Sequence, residues 1–249
     1  AKNKEQEREE ENKGNNDYKE KGTNLSDYKV RWVEYLGNAI IENVKLKIGG
    51  QIIDEQNGEF IQLYTDLYEK EWNKICLLGM DPTIITPQDK VRSTFLYVPL
   101  RFWFSDNLNK ALPLIALQYH DVEIEVKLKK WESCYQLLRS GTDSSGNSSL
   151  FHVDKNSSLK LTEQSIKNVR LDCNFLYLDT EERKRIAQKE HRYLISQVQD
   201  IKHSVSQGKS VELNFNHPVK EIFFVLQNNY IASLPDGLNF SNKPEYPSD

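Results

Sequence analysis

The 249-residue sequence predicts an all-β protein: an antiparallel sandwich of about eight strands with two short helices, for which a jelly roll is the leading form. Three observations carry this. Residues Asp121–Leu128 alternate strictly, with Val122, Ile124, Val126 and Leu128 on one side and Asp121, Glu123, Glu125 and Lys127 on the other. Period 2 is the mark of a strand with one buried and one wet face, and the apolar set is expected to lie between two sheets. Similar short runs recur along the chain, divided by turn-forming residues. Only two stretches carry a helical period, so the strand–helix alternation of a parallel sheet is missing.

The elements follow in order. Residues 2–27 hold almost no apolar side chains and many charges of both signs, so 1–29 is expected to be a flexible tail or loop. Order is expected from Val30, with Val30, Trp32 and Tyr35 leading to Leu36. Val44, Leu46 and Ile48 alternate with Asn43, Lys45 and Lys47, Gly49-Gly50 makes a hairpin turn, and Gln51–Asp54 begins the return strand. Phe60, Leu63, Tyr64, Leu67, Tyr68 and Trp72 then recur at spacings of three and four, which predicts a helix opened by Gly58 and Glu59. The prolines between Met80 and Pro87 predict a loop.

Tyr97–Phe104 is the next expected strand, with Leu100, Phe102 and Phe104 on one face and Trp103 on the other. Leu112–Leu117 is apolar on both faces and reads as the doubly covered start of the 121–128 strand, with Pro113 at its beginning or at an edge. From Trp131 to Lys160 the chain is polar, and Ser140–Ser149 reads as a low-complexity loop. Val169, Leu171, Cys173, Phe175 and Tyr177 predict a strand. Asp179 predicts the cap of a short helix running to about Gln188, with Glu182 three residues on and Glu181 and Arg185 at the i, i+4 spacing. Tyr193–Val198, Val211–Phe215 and Val219–Leu226 are the remaining expected strands, with Ser204–Ser210 as a polar linker.

Composition narrows the function classes. A net charge of −4 supplies no basic field for nucleic acid. No apolar run reaches the length of a membrane span. Cys76, Cys134 and Cys173 are odd in number and widely spaced, which predicts reduced thiols and neither a disulfide framework nor a zinc site. His120, His152, His191, His203 and His217 are isolated, with no metal-ligand spacing, and no nucleophile elbow or phosphate loop is present. Four sequons, at Asn24, Asn147, Asn156 and Asn239, lie in Asn/Ser-rich sequence where the pattern is common by chance.

One enzymatic alternative stands beside this. Asp121, Glu123 and Glu125 share a strand face, a spacing compatible with paired carboxylates of a jelly-roll glycoside hydrolase. Trp103 is the aromatic that a carbohydrate-binding module would need nearby. Lys127 and Lys129 continue the same face, as on any wet surface. No catalytic, cofactor-binding or metal residue is assigned, and no cofactor is expected.

Five stretches resemble, in order, the major capsid proteins of nucleocytoplasmic large DNA viruses. They are NVKLKIGGQIID with the aromatic helix after it, FLYVPLRFWFS, ALPLIALQYHDVEIEV, FLYLDTEERKRIAQKEHRYLISQVQ and LNFNHPVKEIFFVLQ. The resemblance implies a double jelly roll, with 30–203 as the first roll, incomplete at its start, and 204–249 as a linker and the first strands of the second. It implies a non-enzymatic shell protein of the virion, assembled in host cytoplasm as homotrimeric capsomers. The partners it implies are neighbouring capsomers, minor capsid proteins and an inner viral membrane beneath the shell, without direct nucleic-acid contact. Because members of this family carry strands ahead of the Gly-Gly hairpin and a whole second roll, the chain is expected to be a fragment or a split-gene product.

Overall fold

The computed structural model describes residues 25–70, 78–105, 107–153, 161, 166–204, 210–234, 238–241 and 246. Among them six strands form two three-stranded sheets, and every pairing is antiparallel. The first sheet has the order β1 (Tyr28–Trp32), β5 (Tyr135–Thr142), β6 (Ser148–His152). The second has β3 (Gln51–Asn57), β2 (Ile41–Ile48), β4 (Val122–Leu128). The antiparallel all-β class read from the sequence holds.

In the second sheet, β2 is central and β4 is an edge. Val44 faces Gln56 on one side and Val126 on the other, and Leu46 faces Asp54 and Ile124. The β2–β3 hairpin turns on Gly49 and Gly50, at φ 59° and 79°. Two successive left-handed residues make the turn whose twist matches the strands, and glycine takes them without a Cβ penalty.

Five α-helical segments are described, three among the strands and two after the last of them: α1 (Leu36–Ala39), α2 (Gly58–Tyr68), α3 (Pro82–Ile85), α4 (Thr180–Gln188) and α5 (Asn229–Ser233). Side-chain caps start four of them. Asn57 accepts from Phe60 N at 2.7 Å, Asp81 from Thr83 N at 2.8 Å, Asp179 from Glu182 N at 2.8 Å and Asn228 from Tyr230 N at 2.9 Å. The expected Asp179 cap is therefore present. The expected Glu181–Arg185 pair is replaced by i, i+3 pairs, Glu181–Lys184 and Glu182–Arg185. Gly58 lets α2 lie directly on the chain before β2, since a Cβ there would meet the carbonyl oxygens of Asn38 and Ile41 at 2.5 Å.

Two apolar clusters make the core. Val30, Trp32, Val33, Leu36, Cys134, Tyr135 and Leu137 pack beneath the first sheet, and Ile41, Val44, Leu46, Ile61, Phe102 and Trp103 beneath the second. Ile40 packs against both.

Several expected elements differ. Leu112–Leu117 is a chain of turns, with Ala116 N and Leu117 N both bonded to Pro113 O. A continuous apolar run has no period to define a strand, and Pro113 opens a turn readily. Tyr97–Phe104, Val169–Tyr177, Tyr193–Val198, Val211–Phe215 and Val219–Leu226 form no ladder among the described residues. Alternation fixes which face is apolar, whereas a strand also needs a neighbour for its backbone groups. Conversely, 135–142 and 148–152 pair as a hairpin where a polar loop was expected. Tyr135, Gln136, Leu137 and Leu138 are all buried, so β5 is covered on both faces and shows no alternation. Pro82–Ile85 is helical where a loop was expected. β1 begins at Tyr28, two residues ahead of expectation. Residues 1–24, Trp72, Cys76, Asn156 and most of the Ser204–Ser210 linker lie outside the described residues.

Candidate functional site

The acidic trio is part of a cross-strand ion lattice. On the wet face of the second sheet, Lys47 donates to Glu125, Lys127 bonds Glu42 at 2.6 Å, and Lys45 lies 3.5 Å from Glu55. Register places Glu123 opposite Lys47 and Glu125 opposite Lys45. The hydrogen bond and charge of Lys47 hold the Glu125 carboxyl below its ordinary value. A glycosidic general acid needs the opposite shift, a raised pKa in a water-poor pocket. Trp103, proposed as the aromatic platform of a carbohydrate site, is 5% exposed and sits in the core with Phe102, its ring edge-on to Phe104 at 5.3 Å. The structure does not bring the trio and Trp103 together as a sugar-binding cleft.

The histidines and cysteines are equally dispersed. His120 sits over the Gly49 turn, His191 lies 2.6 Å from Ile186 O, His203 and His217 are exposed, and His152 is buried on the first sheet. Among the described residues no group of three metal-ligating side chains comes together. Cys134 is buried and its thiol is pushed up to about 11 by desolvation, whereas Cys173 is exposed. Among the described residues no helix is long and apolar enough to cross a membrane.

What the arrangement offers is fastened segments and broad apolar surface. The stretch 197–202 is strapped along β3 and α2. Val198 N bonds Asp54 Oδ1 at 2.9 Å, Gln197 donates to Ile53 O, Asn57 Nδ2 reaches Asp200 at 2.9 Å, and Lys202 bonds Glu59 at 2.6 Å. Burial raises the Asp54 carboxyl above its ordinary value, outweighing the bonds from Val198 N and Gln56. A second clamp runs over α2, where the rings of Phe60, Tyr64 and Tyr68 follow one another in tilted contact. Phe223 meets Phe60 edge-on at 5.9 Å and Tyr68 Oη bonds Glu221 at 3.1 Å. Arg101 lies over the Tyr64 ring and bonds Glu69 at 2.6 Å. On the first sheet, buried Arg31 donates to Gln136 at 2.6 Å and to Ile85 O at 3.0 Å. Tyr246 covers it at 5.0 Å and meets His152 at 5.9 Å.

Beyond these clamps, large apolar side chains face outward. Ile222, Phe224 and Leu226 alternate with the inward Phe223 and Val225, and Phe224 is 81% exposed. Leu171, Phe175 and Tyr177 are exposed too. The expectation that β4 is buried between two sheets is corrected at its far end. Val122 and Ile124 are half-buried, but Val126 is 46% and Leu128 37% exposed, because β4 is an edge and only Val122 and Ile124 of it pack against the core cluster. Exposed large apolar side chains in this number are surface suited to contact with another chain. At β4 the sequence reading missed this exposure because it assumed a second sheet over the whole of 121–128.

Comparisons with known proteins agree in kind. The family described as major capsid protein N-terminus matches residues 16–179, and that described as large eukaryotic DNA virus major capsid protein matches 182–246. Capsid protein 1 of Acanthamoeba polyphaga mimivirus is 37% identical over 224 residues, covering 82% of this chain and 34% of its own length. The major capsid protein of Phaeocystis pouchetii virus is 34% identical over 248 residues, covering 86% and 45%. PBCV-1 VP54, in a crystal structure fitted into a reconstruction of the virophage Sputnik, aligns over 68% of this chain and 38% of its own. Its TM-score is 0.44 and its identity 24%. The chain thus spans less than half the length of these relatives. Since one family covers about two thirds of the sequence and its companion takes up where it stops, the chain belongs to the major capsid proteins of large eukaryotic DNA viruses.

Proposed function

We propose that this chain is the shell-forming part of a capsid protein, working in the virion of a large icosahedral DNA virus by packing and not by catalysis. The observation that carries this is the consecutive match of two capsid families, in order, over residues 16–179 and 182–246. The outward apolar faces at 169–177 and 222–226 support it, since a protein that works by packing needs surface to bury. In this reading residues 30–203 belong to a first jelly roll, together with the start of β1 at Tyr28, and 204–249 are the linker and first strands of a second. The assembled unit is a homotrimeric capsomer that meets neighbouring capsomers and minor capsid proteins over an inner membrane. Assembly takes place in host cytoplasm, without direct nucleic-acid contact. No residue acts as a catalyst, cofactor ligand or metal ligand.

The test is expression of the full-length protein and electron microscopy of the purified particle, together with a screen for hydrolysis of β-glucans. Trimers without glycosidase activity are expected, with Glu123→Gln and Glu125→Gln leaving assembly near normal. A persistent monomer would overturn the capsomer, and hydrolysis lost in Glu123→Gln would overturn the structural role itself.

A further inference from the structure

The outer edge of β4 is an open ladder. Gly49 N bonds Asp121 O at one end of the strand and Lys129 N bonds Ile40 O at the other, so the odd-numbered residues turn their backbone groups to β2. In an antiparallel pair these groups alternate sides, which leaves the N–H and C=O of Val122, Ile124, Val126 and Leu128 pointing away from the sheet. No described backbone group bonds them there. The usual protections of an edge are weak. The strand holds no proline or bulge, Glu125 and Lys127 are neutralised by Lys47 and Glu42 of β2, and Val126 and Leu128 stand exposed.

The edge is also complementary to itself. We propose that β4 pairs antiparallel with β4 of a second copy about a two-fold axis at Val126, joining the two sheets into one of six strands. Backbone parity admits only registers that set even residues against even ones. A register centred on Ile124 would oppose Glu123 to Glu125, one centred on Glu125 would oppose that residue to its own copy, and one centred on Lys127 would oppose lysine to lysine. The register centred on Val126 opposes no like charges. It sets Glu125 against Lys127 and Glu123 against Lys129, each twice by symmetry. Ile124 meets Leu128, again twice, and Val126 meets itself at the axis. The charged pairs fall at the non-hydrogen-bonded positions, where opposed side chains come closest. Such an isologous contact is closed and does not propagate into a fibre. It stands on the sheet edge alone and needs no shell.

The test is sedimentation equilibrium of the 249-residue chain over a concentration series. Lys129 takes no part in an ion pair among the described residues, so reversing it leaves the lattice of the sheet intact, whereas Glu123 faces Lys47 of β2 and its reversal is read together with a urea-unfolding control. A dissociable dimer is expected. Lys129→Glu and Glu123→Lys should each weaken it by about tenfold, two like-charge pairs being created in each case. An equimolar mixture of the two variants should dimerise as well as the parent, because both contacts then oppose unlike charges. Val126→Pro removes only an outward N–H and should abolish the dimer while circular dichroism stays unchanged. A chain that stays monomeric to about 0.1 mM overturns the proposal. So does an oligomer indifferent to Lys129→Glu, or a mixture that fails to regain the dimer.

Discussion

Leu46→Ala and Val126→Ala compare the centre of the second sheet with its edge. Leu46 is fully buried, packed with Ile61 and Phe102 between β3 and β4. Removing its isobutyl group loses transfer energy and leaves a cavity that neighbours on two strands and a helix cannot fill, for a loss of about 3 kcal/mol, within roughly 2–5. For a domain of this size that is about 6–12 °C in Tm. Val126 keeps 46% of its surface in water, so truncation there forfeits only part of the roughly 1.5 kcal/mol that full burial of valine provides, and creates no cavity. A loss under about 1 kcal/mol follows. Urea unfolding followed by tryptophan fluorescence, below the concentration at which copies associate, measures both. Equal losses would show that β4 is covered like β2 and refute the edge assignment.

Other measurements probe other parts. Gly58→Ala should cost about 1–3 kcal/mol by urea unfolding, since its Cβ would strike two backbone oxygens that cannot rotate away. Asp54 has a folded pKa raised by burial, so its contribution to stability is full below the unfolded value of 3.8 and is lost as pH rises through the folded value. A stability–pH profile should therefore fall across that window in the parent and flatten there in Asp54→Asn. Peptide mapping after maleimide treatment near pH 8 should find Cys173 labelled and Cys134 spared, since burial holds the latter's thiol near 11. Tyr246→Ala should speed hydrogen exchange in β1 and β6 more than Tyr246→Phe, which keeps the ring over Arg31 and beside His152.

How much was legible in the sequence follows burial. β2, its Gly-Gly turn and the wet face of β4 were legible because one side of each meets water and the other does not, so the period survives in the residue types. α4 was legible from its cap alone. β5 was lost for the opposite reason: Gln136 and Leu138 on one face are as buried as Tyr135 and Leu137 on the other. Arg31 was unreadable as a core residue because its charge is satisfied by partners far away in sequence, Gln136 at a separation of 105 and Ile85 at 54. The apolar alternation of 169–177 was read correctly as a pattern and wrongly as a paired strand, since sequence shows the face of a segment but not its neighbour. The capsid resemblance lay in five ordered stretches, which is why family was easier to read than contact.

The strap along β3 bears on the order of folding. Its bonds from Val198 to Asp54 and from Lys202 to Glu59 join residues 144 and 143 positions apart. Closing so long a loop carries a large entropic cost that a few polar contacts offset only once the anchor is rigid. The anchor itself, β2–β3 with Asn57 capping α2, is a local hairpin and helix. During synthesis it is complete well before residue 198 is made. The strap thus has a finished groove to settle into, and a ribosome stalled between residues 70 and 190 would leave the Asp54 carboxyl without the Val198 donor.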